Sequence, residues 1–451
     1  MIRQARRLIV ADFFLWNSWR GRASAAEADW RDIAGELSQA LIAQRLRYPD
    51  LHVLVITDPL NRVYGAADHE APELTALSRA GIPVVYTDLD RLPWSNRAYS
   101  PFAATFGPWI DRAPALRAWL NHPRFANPFD LEGARISARQ FGRLLHFRAN
   151  HRKVLIADDG AGRLEALVTS WNPSTASSAH ANAAVRLSGE AACDALWSEL
   201  SVVDYSLEGA ESRRPVCYAA LLDTARTLDE ATRRASHAAL DESVAVETLP
   251  AARWLTEGRI REALLEAWNA LQEGDEARVA MFYLSDRAII AAMRQAARRG
   301  ARIRVILDYN RDAFGRTKNG VPNRPVAAEL VRRTRQAAAP IAIRWADTHG
   351  EQFHLKAAWF TSRDSAPLLI LGSANWTRRN LADLNLEANV ALRGASEAAA
   401  AFAEAFDAAW DNRDGGFCRT LPYEALEEGF WKRFWKSRLY RVQEATGACT
   451  F

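Results

Sequence analysis

The sequence predicts an α/β protein built from two similar halves that share one site. Three observations carry this. Short apolar runs alternate with helical stretches, the alternation is made twice, and each pass ends on the same polar residues. Strands alternating with helices argue layered α/β architecture. Duplication with one polar set per half argues a pseudo-dimer of α/β/α sandwich halves, with one active site at their interface.

The elements follow in order. In the first half a strand at 8–15 leads to a helix at about 29–47, a strand at 53–56 and the turn Asp58-Pro59-Leu60-Asn61. In the second half a strand at 279–283 leads to a helix at 286–299, a strand at 303–307 and Asp308-Tyr309-Asn310. A helix and a further strand follow in each, at 82–86 and 341–345. The basic start Arg3, Arg6, Arg7 precedes an apolar run, but Asp12 breaks it and no small-residue cleavage site follows, so it reads as a strand and not as a leader.

These readings divide the chain into a first half at 1–207, a polar, alanine-rich linker with helical stretches at 208–242, a second half at 243–415 and a cationic aromatic tail at 416–451. The first half inserts residues 91–148, rich in aromatics (Trp94, Tyr99, Phe102, Phe106, Trp109, Trp119, Phe125, Phe129), as a subdomain or as a wall over the site. The second half carries an extra strand at 244–246 and a helix at 257–271 that the first lacks. That half is therefore smaller, or the natural chain begins upstream of Met1. In the tail, Phe430, Trp431, Phe434, Trp435, Leu439 and Val442 share a helix face rimmed by Lys432, Arg433, Lys436 and Arg441, a pattern suited to a lipid headgroup interface.

Composition narrows the class. Hydrophobic content of 49% over 451 residues is that of a globular chain with sizeable cores. No apolar run of about 18 residues predicts a membrane span, so the expectation is a peripheral membrane or cytoplasmic protein. A net charge of +4 is too mild to argue nucleic acid. Cys193, Cys217, Cys418 and Cys449 are far apart and are expected as free thiols, with two disulfides as the alternative.

The chemistry-bearing residues come in pairs. His151 and Lys153 sit at i and i+2 of a buried strand, so they share a face. His354 and Lys356 repeat them, each pair preceded by a histidine five positions upstream, His146 and His349. Ser170 and Asn172 recur as Ser373 and Asn375, and 21 positions separate His151 from Asn172 and His354 from Asn375. No Asp or Cys spacing supports a metal site among the four histidines, and no cofactor is expected.

At these residues the chain resembles the phospholipase D superfamily, with its paired H-x-K-x4-D motifs and following G-S-x-N segments. The first copy keeps Asp158 but has Thr169 in place of glycine; the second keeps Gly372 but has Thr361 in place of aspartate. The resemblance implies a duplicated phospholipase D-type sandwich and phosphodiester chemistry without a metal. One imidazole attacks phosphorus to give a phosphohistidine, and the other moves the proton of the alcohol. Lys153, Lys356, Asn172 and Asn375 hold the phosphate oxygens. Family practice makes His151 the nucleophile and His354 the acid/base.

Aligning the segments downstream sets Glu387 opposite Asn182. The family's crossed arrangement then pairs Glu387 with His151 and Asn182 with His354. Ser170, Ser373, Asp158, Arg316 and Lys318 are counted as substrate-binding, although the aspartate's place at the far end of its strand also reads as structural. His146 and His349 are expected to orient the motif strands or line the site. The implied substrate is a glycerophospholipid, handled in a cardiolipin synthase-like way, with no nucleic-acid partner. The rival readings are a nuclease on the same scaffold and a catalytically inactive membrane-binding protein.

Overall fold

The computed structural model describes residues 1–19, 30–64, 70–127, 135–209, 213–241, 251–310, 312–313, 316–317 and 319–447. The first half forms a sheet of β1 (Leu8–Phe13), β2 (His52–Thr57), β3 (Val84–Tyr86), β4 (Lys153–Asp158), β5 (Leu164–Thr169) and β6 (Ala184–Ser188). Their order is β3-β2-β1-β4-β5-β6. The second sheet holds β7 (Ala251–Thr256), β8 (Glu276–Met281), β9 (Arg302–Leu307), β10 (Ala342–Ala346), β11 (Lys356–Thr361), β12 (Leu368–Gly372), β13 (Ala388–Arg393) and β14 (Thr420–Pro422). Its order is β14-β10-β9-β8-β11-β12-β13-β7.

The inner six strands match one for one. β1, β2 and β3 are parallel, as are β8, β9 and β10, while β4 and β11 run antiparallel beside β1 and β8. The register repeats as well: Phe13 faces Lys153, and Met281 faces Lys356. β1 and β4 are buried along their whole length, because layers cover both faces of the sheet. That explains their unbroken apolar character.

The two sheets pack through one continuous core. It takes Val10, Ile156 and Val168 from the first half and Ala357, Leu371 and Val390 from the second. Two backbone bridges stitch the motif loops across the interface, Asn150 to Leu386 and Ala181 to Phe353. The halves therefore join where the histidines emerge.

Several boundaries differ from the sequence reading. Of the helical stretches expected in the linker, Tyr218–Asp241 is one long helix, and it does not merely link the halves but buries Leu221, Ala225 and Leu228 in the shared core. Its polar, alanine-rich composition reflects one solvated face. The extra strand is Ala251–Thr256, which pairs with β13 at the sheet edge; residues 244–246 lie outside the described residues. The tail begins inside the fold, since Thr420–Pro422 adds to β10 before the helix Phe430–Thr446.

The insertion holds the helices Tyr99–Asp111, Pro114–Asn121 and Ala138–Leu145. It leaves most of its aromatics in solvent, with Trp109 72% and Phe102 59% exposed, and so builds little core of its own. Phe129 lies outside the described residues. No described helix is long and apolar enough to cross a membrane. Cys193, Cys217 and Cys418 are free thiols, and Cys449 lies outside the described residues.

Candidate functional site

Each H-x-K motif begins as its loop enters the sheet. Asp58 accepts from the N–H of Asn150 at 2.7 Å, and Asp308 from that of Phe353 at 2.8 Å. The backbone N–H of His151 donates across the interface to the Leu386 carbonyl at 2.8 Å, and that of His354 to Ala181, also at 2.8 Å. Each histidine is thus gripped by its own half and by the other. The lysine two residues on reaches back, with Lys153 Nζ 2.6 Å from the His151 carbonyl and Lys356 Nζ 2.9 Å from that of His354.

One aromatic residue per half completes the mount. Phe14 lies edge-on to His151 with ring centres 4.9 Å apart, and Phe282 stands to His354 at 4.8 Å. Lys153 sits over Phe14 at 5.2 Å, and Lys356 over Phe282 at 5.0 Å. Each phenylalanine restricts both the imidazole and the ammonium of its half. Sequence reasoning missed both residues. The signal was present in the repeated apolar strand, where Phe14 and Phe282 are equivalent, but an apolar side chain at a strand end reads as core.

The symmetry breaks at the groups that hold the imidazoles. His151 Nδ1 is 2.8 Å from Glu387 Oε1, and both residues are fully enclosed. Asn380 and Ser373 donate to the same carboxylate. His354 Nδ1 is 3.1 Å from Asn182 Oδ1. The Asn182 NH2 donates to the His180 carbonyl at 3.0 Å, which fixes the amide's orientation, so His354 Nδ1 carries the hydrogen and donates. The structure thus brings one histidine against a carboxylate and the other against a neutral amide.

Cations crowd the site. Burial, then Lys153, Lys356 and Arg379, press His151 well below its ordinary value. Burial and Lys356, with smaller effects from His180, Lys153 and His151, do the same to His354. Burial brings Lys153 down to about 7 and holds Lys356 well below its usual range, with Lys153 adding to the second effect. Burial lifts Glu387 to about 7 against the pull of Lys153. Two imidazoles and two amines from opposite halves therefore feel one another, and an anion placed among them restores their protons.

Asn172 takes an N–H from Leu15 on Oδ1 at 3.3 Å, which leaves its NH2 as the donor end, and Asn375 is likewise buried. The two serines do not serve as expected. Ser170 donates to Asn182 at 3.1 Å and accepts from the Ala183 N–H at 3.0 Å; Ser373 donates to Glu387 and accepts from the Ala388 N–H at 2.9 Å. Their hydroxyls orient the groups behind the histidines, so they have no proton to give a substrate.

Asp158 is not at the site. Its carboxylate accepts from the N–H groups of Arg6, Arg7, Leu8 and Gly160 at the other end of β4. In the second half Asp275 provides a carboxylate at the corresponding strand end, taking N–H groups from Gln272 and Arg363. A neighbouring strand therefore fills the place that Thr361 leaves.

Lys318 lies outside the described residues, and Arg316 is described only by its backbone, in the strand pair Asp312–Ala313 and Arg316–Thr317. The upstream histidines do not form a pair. His146 bonds Ser100 at 2.8 Å within the insertion, whereas His349 is 76% exposed in its side chain. Among the described residues no cluster of His, Cys, Asp and Glu suits a metal ion.

A buried charge network backs the first motif. Arg152 reaches Glu199 at 3.1 Å and Glu257 at 2.7 Å, and Glu257 also accepts from the Glu387 N–H at 3.0 Å. It ties the strand of His151 to the loop that supplies Glu387. Its arginine lies between two motif residues, where sequence reading saw only the spacer of H-x-K.

Residues 268–410 match the family model described as cardiolipin synthase, PLD-like domain. No curated protein matches the chain. Among solved structures, phosphatidylserine synthase of Haemophilus influenzae Rd KW20 aligns over 99% of this chain and 89% of its own, at 14% identity and a TM-score of 0.54. Nuc, a phospholipase D family member from Salmonella typhimurium, covers 39% of this chain with 99% of its own, at 17% identity and a TM-score of 0.29.

Proposed function

We propose that this chain is a phospholipase D-type phosphodiesterase or phosphatidyltransferase acting on glycerophospholipids through a phosphohistidine; its residues 268–410 match a cardiolipin synthase, PLD-like domain model and its fold is similar to that of a phosphatidylserine synthase. The crossed, unequal support of the two histidines carries the reading: Glu387 on His151 at 2.8 Å and Asn182 on His354 at 3.1 Å. A carboxylate on Nδ1–H raises the basicity of the opposite ring nitrogen and stabilises the ring as it gains charge. His151 is therefore the nucleophile. An amide gives less, which suits His354 to release a proton.

The steps follow from these placements. The phosphodiester anion enters among Lys153 and Lys356 and offsets their repulsion of the His354 proton. His151 Nε2 attacks phosphorus while His354 protonates the departing alkoxide. His354 then takes a proton from water or an alcohol as that oxygen attacks phosphorus and the P–N bond breaks. Lys153, Lys356, Asn172 and Asn375 supply donors and charge to the non-bridging oxygens.

Surface character favours lipid over nucleic acid. The face predicted on the last helix is in solvent, with Phe430, Trp431 and Trp435 each more than 60% exposed, and it carries Lys432, Arg433 and Arg438. Only Tyr440 and Glu444 of that helix are buried against the body. Gly447, at its end, lies against Ser95, where the aromatic insertion begins. Exposed Trp and Phe beside basic side chains suit an anionic bilayer surface, and peripheral membrane association is part of the proposal.

The experiment is single-turnover reaction with phospholipid labelled in its phosphate. Acid-labile, base-stable label should appear on the protein and vanish in His151→Ala. Label retained in that variant, or absent from the wild type, overturns the reading.

A further inference from the structure

The second half opens with a unit that the first lacks, the strand β7 and the helix Glu257–Ala270. Ile260, Leu264 and Trp268 seat that helix in the core of the second half. β7 runs antiparallel beside β13, and its last pair sets Thr256 opposite Ala388. The next residue, Glu257, falls opposite Glu387 and turns the chain from strand into helix. It does so with φ at +46°, a left-handed conformation that a glutamate rarely adopts and that persists where its surroundings fix it. Gly258 then donates its N–H to Asp383 Oδ1 at 2.8 Å, and a Cβ at Gly258 would meet that carboxylate at 2.9 Å. The junction is therefore pressed against the loop that carries Glu387.

Glu257 holds the Glu387 backbone at two points. Its N–H donates to the Glu387 carbonyl at 3.4 Å, and its Oε1 accepts from the Glu387 N–H at 3.0 Å. The same oxygen accepts from Arg152 Nη2 at 2.7 Å. Arg152 follows His151 directly, and its Nη1 bonds Ser198 Oγ at 2.9 Å and Glu199 Oε1 at 3.1 Å. Glu199 bonds Asp12, and burial raises both carboxyls, so the two share a proton. Asp12 in turn accepts from Asn150 Nδ2 at 2.9 Å on each oxygen. The residues before and after His151 are thus tied to one acid pair, and the second of them also to the residue that holds Glu387.

His354 is served differently. Leu355 stands where Arg152 does and packs in the apolar core between the sheets. Asn182 is half-buried, where Glu387 is shut off from solvent. The charged spacer and the extra strand–helix unit therefore meet on the side of the carboxylate-bearing histidine.

We propose that Arg152 and Glu257 are positioning residues for the nucleophile, an ion pair across the two halves that fixes the Glu387 carboxylate against His151. The inference rests on the phosphodiester reading above. Ser373 and Asn380 hold the Glu387 side chain, but Glu257 holds the backbone from which it hangs. Arg152 couples that backbone to the strand of His151, so the two partners of the 2.8 Å contact share one frame. A displacement of about one ångström at such a contact costs roughly 10²-fold in rate.

The test is single-turnover formation of the phosphoenzyme, read per folded molecule. Glu257→Ala frees the Glu387 backbone and should slow the step about 10- to 100-fold, with the lipid concentration for half-maximal rate little changed. Glu257→Gln keeps an Oε1 that accepts from both Arg152 and the Glu387 N–H, and should restore the rate to within about threefold of wild type. Arg152→Lys keeps the charge, but one ammonium does not span Glu199 and Glu257 together. It should slow the step about 3- to 10-fold, and it decides the matter where Glu257→Ala does not fold. The sharpest comparison is made in Glu387→Gln. There Glu257→Ala should slow the step less than about twofold further, because the group it positions has already lost its charge. Equal slowing in both backgrounds, or wild-type rates in Glu257→Ala and Arg152→Lys, overturns the positioning role and leaves the phosphodiester reading intact. A wild type that forms no phosphoenzyme overturns both.

Discussion

Glu387 and His151 belong to opposite halves, 236 residues apart in sequence, yet their side chains meet at 2.8 Å with no solvent between them. The carboxylate orients the ring and balances the charge that develops as it attacks. Glu387→Gln keeps the shape and removes the charge. Phosphoenzyme formation in a single turnover should slow by about 10²- to 10⁴-fold. One carboxylate oxygen becomes a donor facing Ser373 or Asn380, so some stability is lost as well, and the rate is read per folded molecule. Wild-type formation rates in this variant would refute the nucleophile assignment.

The neutral partner of His354 makes the opposite prediction. Asn182→Asp places a carboxylate on Nδ1–H and should raise the proton affinity of that ring by about one pH unit or more. The ionisation of the acid/base seen in the pH profile of transfer should move upward correspondingly. Phosphoenzyme formation on His151 should persist. A profile that does not move would show that Asn182 does not tune His354.

This asymmetry was legible because the duplication supplies its own alignment: once Val185 and Val390 are matched, Glu387 falls opposite Asn182. The pairing of strands and the placing of both H-x-K motifs were legible for the same reason. Roles that depend on where a hydroxyl hydrogen goes were not. Ser170 and Ser373 have the motif's spacing, but the backbone N–H groups of Ala183 and Ala388 claim their lone pairs and leave the hydrogens for Asn182 and Glu387. The burial of the helix Tyr218–Asp241 was hidden for a different reason. Its buried stripe of Leu221, Ala225 and Leu228 is narrow, and alanine reads as linker until a partner surface is known.

The amines should reveal themselves through protons. Lys153 is brought down to about 7, so it is largely neutral in the free protein at pH 8, and burial beside Lys153 shifts Lys356 in the same direction. An anion favours their charged forms. Sulfate, which has no proton of its own to exchange at this pH, should therefore bind with uptake of about one to two protons at pH 8. Calorimetry in buffers of different ionisation enthalpy measures the number. Lys153→Arg, always charged, should cut it. Binding without proton uptake would show that the amines are already charged.

Asp158 predicts a loss of stability without loss of chemistry. Its carboxylate holds the N–H groups of Arg6, Arg7 and Leu8, which starts β1 in register. Asp158→Asn turns one oxygen into a donor facing donors and should cost about 2–3 kcal/mol. Turnover per folded molecule should stay near wild type, because the site lies at the other end of the strand. Asp275→Asn should behave alike in the second half, where it stands in for the motif aspartate. A large fall in turnover per folded molecule would return Asp158 to the site.

The last helix makes its prediction at a lipid surface. Trp431 is 70% and Trp435 67% exposed, one helical turn apart, and Lys432, Arg433 and Arg438 lie close by. Immersing an indole in the headgroup region removes apolar area from water, and each full burial gives about 1.5–3 kcal/mol. The lysines and arginines add attraction that only anionic lipid returns, and salt screens it. The wild type should therefore sediment with phosphatidylglycerol vesicles, weakly with phosphatidylcholine, and less as salt rises. Replacing Trp431 and Trp435 together by serine should weaken vesicle binding by about 100-fold or more. Hydrolysis of a short-chain phospholipid kept below its micellar concentration should be unchanged, since neither indole supports the histidines. Equal binding of the variant and the wild type, or loss of activity on the monomeric substrate, would argue that the face serves the body of the protein and not a bilayer.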